Sequence, residues 1–121
     1  EDGDPLDVLI YNETPIDRGT LVECNVIGVL DMRDSGGQDW KLLVTPTSHV
    51  RKYRSIKDVD PMFIKIASYF FKHYKDLNNS YVEVGEWYGK QKAYEIIKDC
   101  CNRFNPTESL AKYQKPLDLQ V

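Results

Sequence analysis

At 121 residues, with a formal net charge of −3 and a pI near 5.3, the chain is long enough for one domain and lacks the basic footprint of a nucleic-acid binder. Its 41% hydrophobic and 29% charged residues are ordinary for a globular protein, and no apolar stretch approaches the roughly 18 residues needed to cross a bilayer. Three cysteines, Cys24 and the adjacent Cys100 and Cys101, fit neither a disulfide framework nor a zinc motif, and no charged-then-apolar segment opens the chain, so a cytoplasmic protein with reduced thiols is expected.

Leu6 to Tyr11 reads as a strand, followed by a turn-rich connector, Thr14 to Gly19. Leu21 to Met32 reads as a long strand in which Gly28 marks a bulge or tight bend. Trp40 to Thr45 returns as its hairpin partner across Ser35-Gly36-Gly37, which supplies a permissive backbone. Residues 46–60 look irregular and include the one basic stretch, Arg51-Lys52-Tyr53-Arg54, which is too short for a nucleic-acid surface. Asp60 followed by Pro61 is a cap-and-proline helix start. Phe63, Ile66, Ala67, Phe70 and Tyr74 then recur at helical spacing as one apolar face, with Asn78-Asn79 ending the helix. Tyr81 to Val84 alternates as a short strand, and Lys90 to Phe104 forms a second amphipathic helix through Ala93, Ile97, Cys100 and Phe104. Beyond Asn105-Pro106 the tail is polar and proline-broken. Strands first and helices later give a mainly β, α+β protein.

The residues most charged with meaning are five aspartates in two short loops, Asp2, Asp4 and Asp7 before Val8-Leu9-Ile10, and Asp34 and Asp39 before Leu42-Leu43-Val44. Carboxylates packed this densely repel one another unless positive charge lies among them, and hard divalent cations such as Mg2+ or Ca2+ select carboxylate oxygen. Lys41 stands two residues past Asp39, on the same strand face. A metal and a lysine addressing one small space suit a phosphate.

Asp2-Gly3-Asp4-Pro5-Leu6-Asp7-Val8-Leu9 closely resembles the D-G-D-P-x-D-x-L motif of the soluble, family I inorganic pyrophosphatases. The resemblance continues through Gly28-Val29-Leu30-Asp31-Met32-Arg33-Asp34, Asp39-Trp40-Lys41, Ile56-Lys57-Asp58-Val59, and Phe70 to Leu77, in the family's order. It implies a five-stranded OB-type barrel with flanking helices and a site in the barrel mouth. It also implies a pyrophosphatase domain over residues 1–104, with residues 105–121 as a polar tail. The implied activity is Mg2+-dependent hydrolysis of inorganic pyrophosphate to two phosphates, with several ions per site and Mn2+ as a substitute. By the same resemblance Asp2, Asp7 and Asp39 hold the tight metal site, with Asp7 shared by a second metal. Asp34 and Asp39 bind a further metal arriving with substrate. Asp4 is the general base that takes a proton from the attacking water, while Lys41, Tyr74 and Lys75 grip the phosphates. A homo-oligomer follows, a hexamer favoured over a dimer, with neither nucleic acid nor membrane as partner.

Each residue also has a plainer role open to it. Asp4 can cap a turn with Pro5, Asp34 before Ser-Gly-Gly is an ordinary hairpin residue, and Lys75 suits a helix C-terminus. The ring of Tyr74 lies on the apolar stripe and is expected in the core. His49 and His73 have no partner at metal spacing, Cys24 and Cys100 read as core fillers, and Asp58 has no catalytic role to carry. The chain departs from the family at its front, where further residues normally supply the opening strands of the barrel and part of the substrate site. These 121 residues alone are therefore expected to be inactive. The alternative is a non-catalytic divalent-cation-binding module. An EF-hand is a poor fit, because proline interrupts the first loop and strands flank it, and the acidic rim opposes a base-stacking OB domain.

Overall fold

The computed structural model describes residues 6–49 and 52–104. Asp2 and Asp4 of the first motif, and the tail from residue 105, lie outside the described residues. Among the described residues five strands and two α-helices form the fold: β1 (Asp7–Ile10), β2 (Cys24–Asp34), β3 (Gly37–Gln38), β4 (Lys41–Pro46), α1 (Pro61–His73), β5 (Val82–Gly89) and α2 (Lys90–Arg103). Neither helix is long and apolar enough to cross a membrane.

All six residues of β4 are buried, which suits its place between β1, paired in parallel, and β2, paired antiparallel. The second edge of β2 pairs antiparallel with β5, and its far end folds onto β3 through Asp34 and Gly37. The result is an open five-stranded sheet, mainly β with flanking helices as expected, whose β1 and β5 are edges among the described residues. One side packs Val29, Leu42 and Val44 on Ala93 of α2, and the other packs Ile27, Leu43 and Val59 on Phe63 and Ile64 of α1 and on Trp87. Each aliphatic side chain buried this way contributes about 1.5–3 kcal/mol.

Gly28 does mark a bulge, with the pairing of β2 to β4 shifting register between Val26 and Gly28. The physical need is space, because a Cβ on Gly28 would lie 2.8 Å from the Tyr88 carbonyl oxygen and 3.0 Å from Ile56 Cδ1. A second shift between Leu30 and Met32 accommodates β5, and there a Cβ on Gly85 would press within 3.0 Å of the Asp31 carboxylate. Pairing with β2 carries β5 well past the expected end at Val84 and straight into α2, with Gly89 as its N-cap.

The start of α1 is as expected, since Asp60 caps it by accepting the Met62 N–H at 2.9 Å and Pro61 takes the first helical position. Its buried face differs from the expected stripe. Phe63, Ile64, Ala67 and Phe71 face the sheet, whereas Ile66 and Phe70 are 61% and 57% exposed. The helix is apolar nearly all round, so periodicity alone admits two faces, and docking on Leu43, Val59 and Trp87 selects one. The Trp87 indole N–H fixes that choice by donating to Ser68 Oγ at 2.7 Å. The helix also ends early, at His73. A 3-10 turn over Asp76–Asn78 follows, closed by Asn79 at φ 52°, the left-handed geometry Asn tolerates.

The expected irregular stretch contains 3-10 turns at Thr47–His49 and Ile56–Asp58. The second is fixed by a capping box in which Ser55 Oγ accepts the Lys57 N–H, and Asp58 accepts the Ser55 N–H at 3.1 Å and the Arg54 N–H at 2.8 Å. Asp58 thus has a local structural role. Those two hydrogen bonds hold its carboxyl below the usual range.

Candidate active site

Asp7 opens β1 and Lys41 opens β4, and the parallel register sets them side by side. Lys41 Nζ donates to Asp7 Oδ2 at 2.6 Å and to Asp39 Oδ1 at 3.0 Å. The lysine side chain is only 8% exposed, against 63% for Asp7 and 23% for Asp39. Burial pulls this ammonium down, but the hydrogen bonds to the two carboxylates prevail and hold it above the ordinary lysine range. The ring of Phe71 on α1 lies 5.9 Å from Nζ and forms the apolar wall on that side.

Asp34, at the end of β2, accepts the Gly36 N–H at 2.9 Å on Oδ1 and the Lys75 ammonium at 3.3 Å on Oδ2. Burial pushes its carboxyl up, yet the Gly36 and Lys75 hydrogen bonds outweigh that and leave it below the usual carboxylate range. The two lysine–aspartate groups are linked through the hairpin, Asp34 ending β2 and Asp39 lying two residues before Lys41. Lys75 Nζ also lies 5.4 Å from the centroid of the Tyr74 ring. That ring is not in the core: it is exposed, stacked on Phe70 at 5.5 Å and meeting Phe71 edge-on at 5.7 Å, because it continues the helix face of Phe70 that does not dock on the sheet.

Two segments separated by about thirty residues of sequence meet where Lys41 bonds Asp7, and Lys75 reaches Asp34 from beyond α1. Asp7, Asp34, Asp39, Lys41 and Lys75 are brought together, with Tyr74 at the rim. Sequence reading missed Phe71 and the side-chain network of Gln38. The available signals were the second apolar face of α1 and the alternation that sets Gln38 opposite Arg33. His73 bonds Asp76 at 2.9 Å, and His49 lies beside Tyr53, both away from these carboxylates. Cys24 packs against the α2 side of the core, where burial pushes its thiol up; Cys100 is half-buried and Cys101 exposed.

Among the described residues no group of three or more His, Cys, Asp or Glu side chains is placed to hold a metal ion. What the described residues offer is carboxylate oxygen alone, from Asp7, Asp34 and Asp39, a donor set that fits hard divalent cations.

The family model described as "Inorganic pyrophosphatase" matches residues 1–105. The chain belongs to the inorganic pyrophosphatase family. The inorganic pyrophosphatase of Buchnera aphidicola subsp. Baizongia pistaciae is 41% identical over 109 residues, covering 86% of this chain and 62% of that protein. The inorganic pyrophosphatase of Geobacillus stearothermophilus is 40% identical over 106 residues, covering 86% and 64%. Among solved structures, the Coxiella burnetii inorganic pyrophosphatase superposes with a TM-score of 0.81 at 33% identity, covering 87% of this chain and 66% of that one. The chain spans less than two thirds of the length of those two curated relatives.

Proposed function

We propose that the chain is part of an enzyme that hydrolyses inorganic pyrophosphate to two phosphates in the cytoplasm. The observation that supports this most is the convergence of Asp7 and Asp39 on Lys41, with Asp34 and Lys75 adjoining, inside a family match that runs through all five strands. In this reading Asp2, Asp7, Asp34 and Asp39 hold Mg2+, or Mn2+ in its place, and the bound ions would supply Lewis-acid activation of water and phosphoryl oxygen. Asp4 accepts the proton of the attacking water. Lys41 and Lys75 neutralise charge on the phosphates as the bridging P–O bond breaks, and the Tyr74 hydroxyl donates one directional hydrogen bond. Such a reaction needs positioning and charge compensation more than covalent help.

We read activity as a property of a longer polypeptide. The supports are the open sheet, with edges at β1 and β5, and the greater length of the relatives. We also read the protein as a homo-oligomer, a hexamer before a dimer. The outer face of α1 carries Met62, Ile66, Tyr69 and Phe70, all more than half exposed, a larger apolar stripe than an isolated helix surface favours. The negative net charge supports the absence of nucleic-acid or membrane partners.

The deciding experiment measures phosphate release from pyrophosphate, with and without Mg2+, by this chain and by a version extended to the relatives' length. Activity only in the extended, Mg2+-supplied protein, mostly abolished by Asp4→Asn, is the expected outcome. A folded, extended protein that binds divalent ions but releases no phosphate would replace the enzyme with a cation-binding module.

A further inference from the structure

The hairpin that carries Asp34 and Asp39 is braced from one side by a single amide. Gln38 Nε2 donates to Asp31 Oδ1 at 2.5 Å and to the Met32 carbonyl at 2.9 Å, while Gln38 Oε1 accepts the Arg33 Nε–H at 3.1 Å. Both donor hydrogens and the acceptor oxygen of the amide are thereby used. The Met32 carbonyl also accepts the backbone N–H of Asp39 at 2.7 Å, so the Gln38 side chain and the Asp39 backbone share one anchor. On the other strand Arg33 directly precedes Asp34, and its register partner is Gln38 itself. Asp31 in turn is fixed from behind, because Gly85 of β5 approaches so closely that a Cβ there would meet its carboxylate. The turn between the two aspartates contains Ser35, Gly36 and Gly37, with Gly37 at φ 111°, and has little stiffness of its own.

We infer that Gln38 is a positioning residue for the divalent cation: its amide holds the Asp34–Asp39 hairpin in ligating geometry by tying Arg33, Asp31 and Met32 together, without touching ion or substrate. The inference rests on the reading of Asp34 and Asp39 as cation ligands. Outer partners of ligating side chains typically shift metal affinity by about 10–100-fold, and because Gln38 acts through the backbone the low end applies.

The test titrates Mn2+ into this chain, followed by electron paramagnetic resonance. The variants are Gln38→Leu, Gln38→Glu and the double variant Asp31→Asn with Gln38→Glu, with Asp39→Asn as the reference. Gln38→Leu should weaken Mn2+ binding by about tenfold while far-ultraviolet circular dichroism stays native. Gln38→Glu should weaken it as well, since its new carboxylate faces that of Asp31. Adding Asp31→Asn should recover most of the loss, because an amide at position 31 then donates where the carboxylate accepted. A role in fold stability alone would move Tm in step with affinity, so Tm is measured for every variant and should stay near wild type in Gln38→Leu. Amide hydrogen exchange at Asp39 in the metal-free protein supplies an independent readout, and should quicken in Gln38→Leu. Unchanged Mn2+ affinity in both single variants, or unchanged exchange at Asp39, overturns the inference, as does a double variant no better than Gln38→Glu. If Asp39→Asn itself leaves Mn2+ binding intact, the cation reading fails first, and the hydrogen-exchange result still decides whether Gln38 orders the hairpin.

Discussion

Lys41 and Lys52 each reach far along the sequence to a carboxylate, Lys41 to Asp7 across 34 residues and Lys52 to Glu13 across 39. Chemically the contacts are alike, and both ammonium groups are held above the ordinary lysine range. Their surroundings differ. Lys41 lies between two strands under the Phe71 ring, whereas the Lys52 and Glu13 side chains are 57% and 64% exposed. Water and salt compete for the exposed pair, so its geometry contributes little free energy. The buried ammonium has no such alternative, and removing it leaves two carboxylates facing each other. A contact's worth is set by what its groups would do without it.

Breaking the buried group gives the largest expected effect. Lys41→Ala should destabilise the fold by about 3 kcal/mol in urea denaturation, and Mg2+ should restore part of the loss by supplying positive charge between Asp7 and Asp39. A loss as small as that of Lys52→Ala would erase the contrast. Next come the two acceptors. Asp39→Asn should cost about 1.5 kcal/mol, in keeping with a hydrogen bond to a charged group, and Asp7→Asn, on the more solvated side, under about 1 kcal/mol. Equal losses would mean that exposure does not grade the interaction.

A pH series sharpens the same point. Because Lys41 is raised in the fold, its contribution is fully present below the unfolded lysine pKa of about 10.4 and is lost as pH rises through the higher folded value. Going up from neutral pH, the Tm difference between wild type and Lys41→Ala should therefore shrink only above that value, and a difference that closes nearer neutrality would point to another group. The smallest effect is at the surface, where Lys52→Ala should leave Tm unresolved from wild type at 0.15 M salt in differential scanning calorimetry.

Much of the site is legible because local grammar and tertiary need agree there. Asp34 and Asp39 flank a glycine-rich turn, Asp60-Pro61 starts α1 with a local cap and an N1 proline, and the bulge at Gly28 follows from the lack of a Cβ where Tyr88 and Ile56 crowd it. The errors fall where local grammar is degenerate. With aromatic and aliphatic side chains nearly all round α1, spacing allows Phe70 as readily as Phe71 to face inward, and the sheet chooses Phe71. The length of β5 is hidden because Gly85-Glu86 interrupts the alternation, whereas the strand bulges there and its pairing to β2 resumes at Trp87.

The sequence by itself determined the residue types: the carboxylates, the two lysines and the order of motifs that identify the family, all of which are properties of the chain read in one dimension. Only the tertiary structure decided that Lys41, rather than any other cation, lies between Asp7 and Asp39, that Lys75 answers Asp34, and that Gln38 ties the hairpin together. Those are long-range or cross-strand pairings, set by strand register and by which helix face finds apolar surface, and neither is encoded in the spacing of residues along a single element.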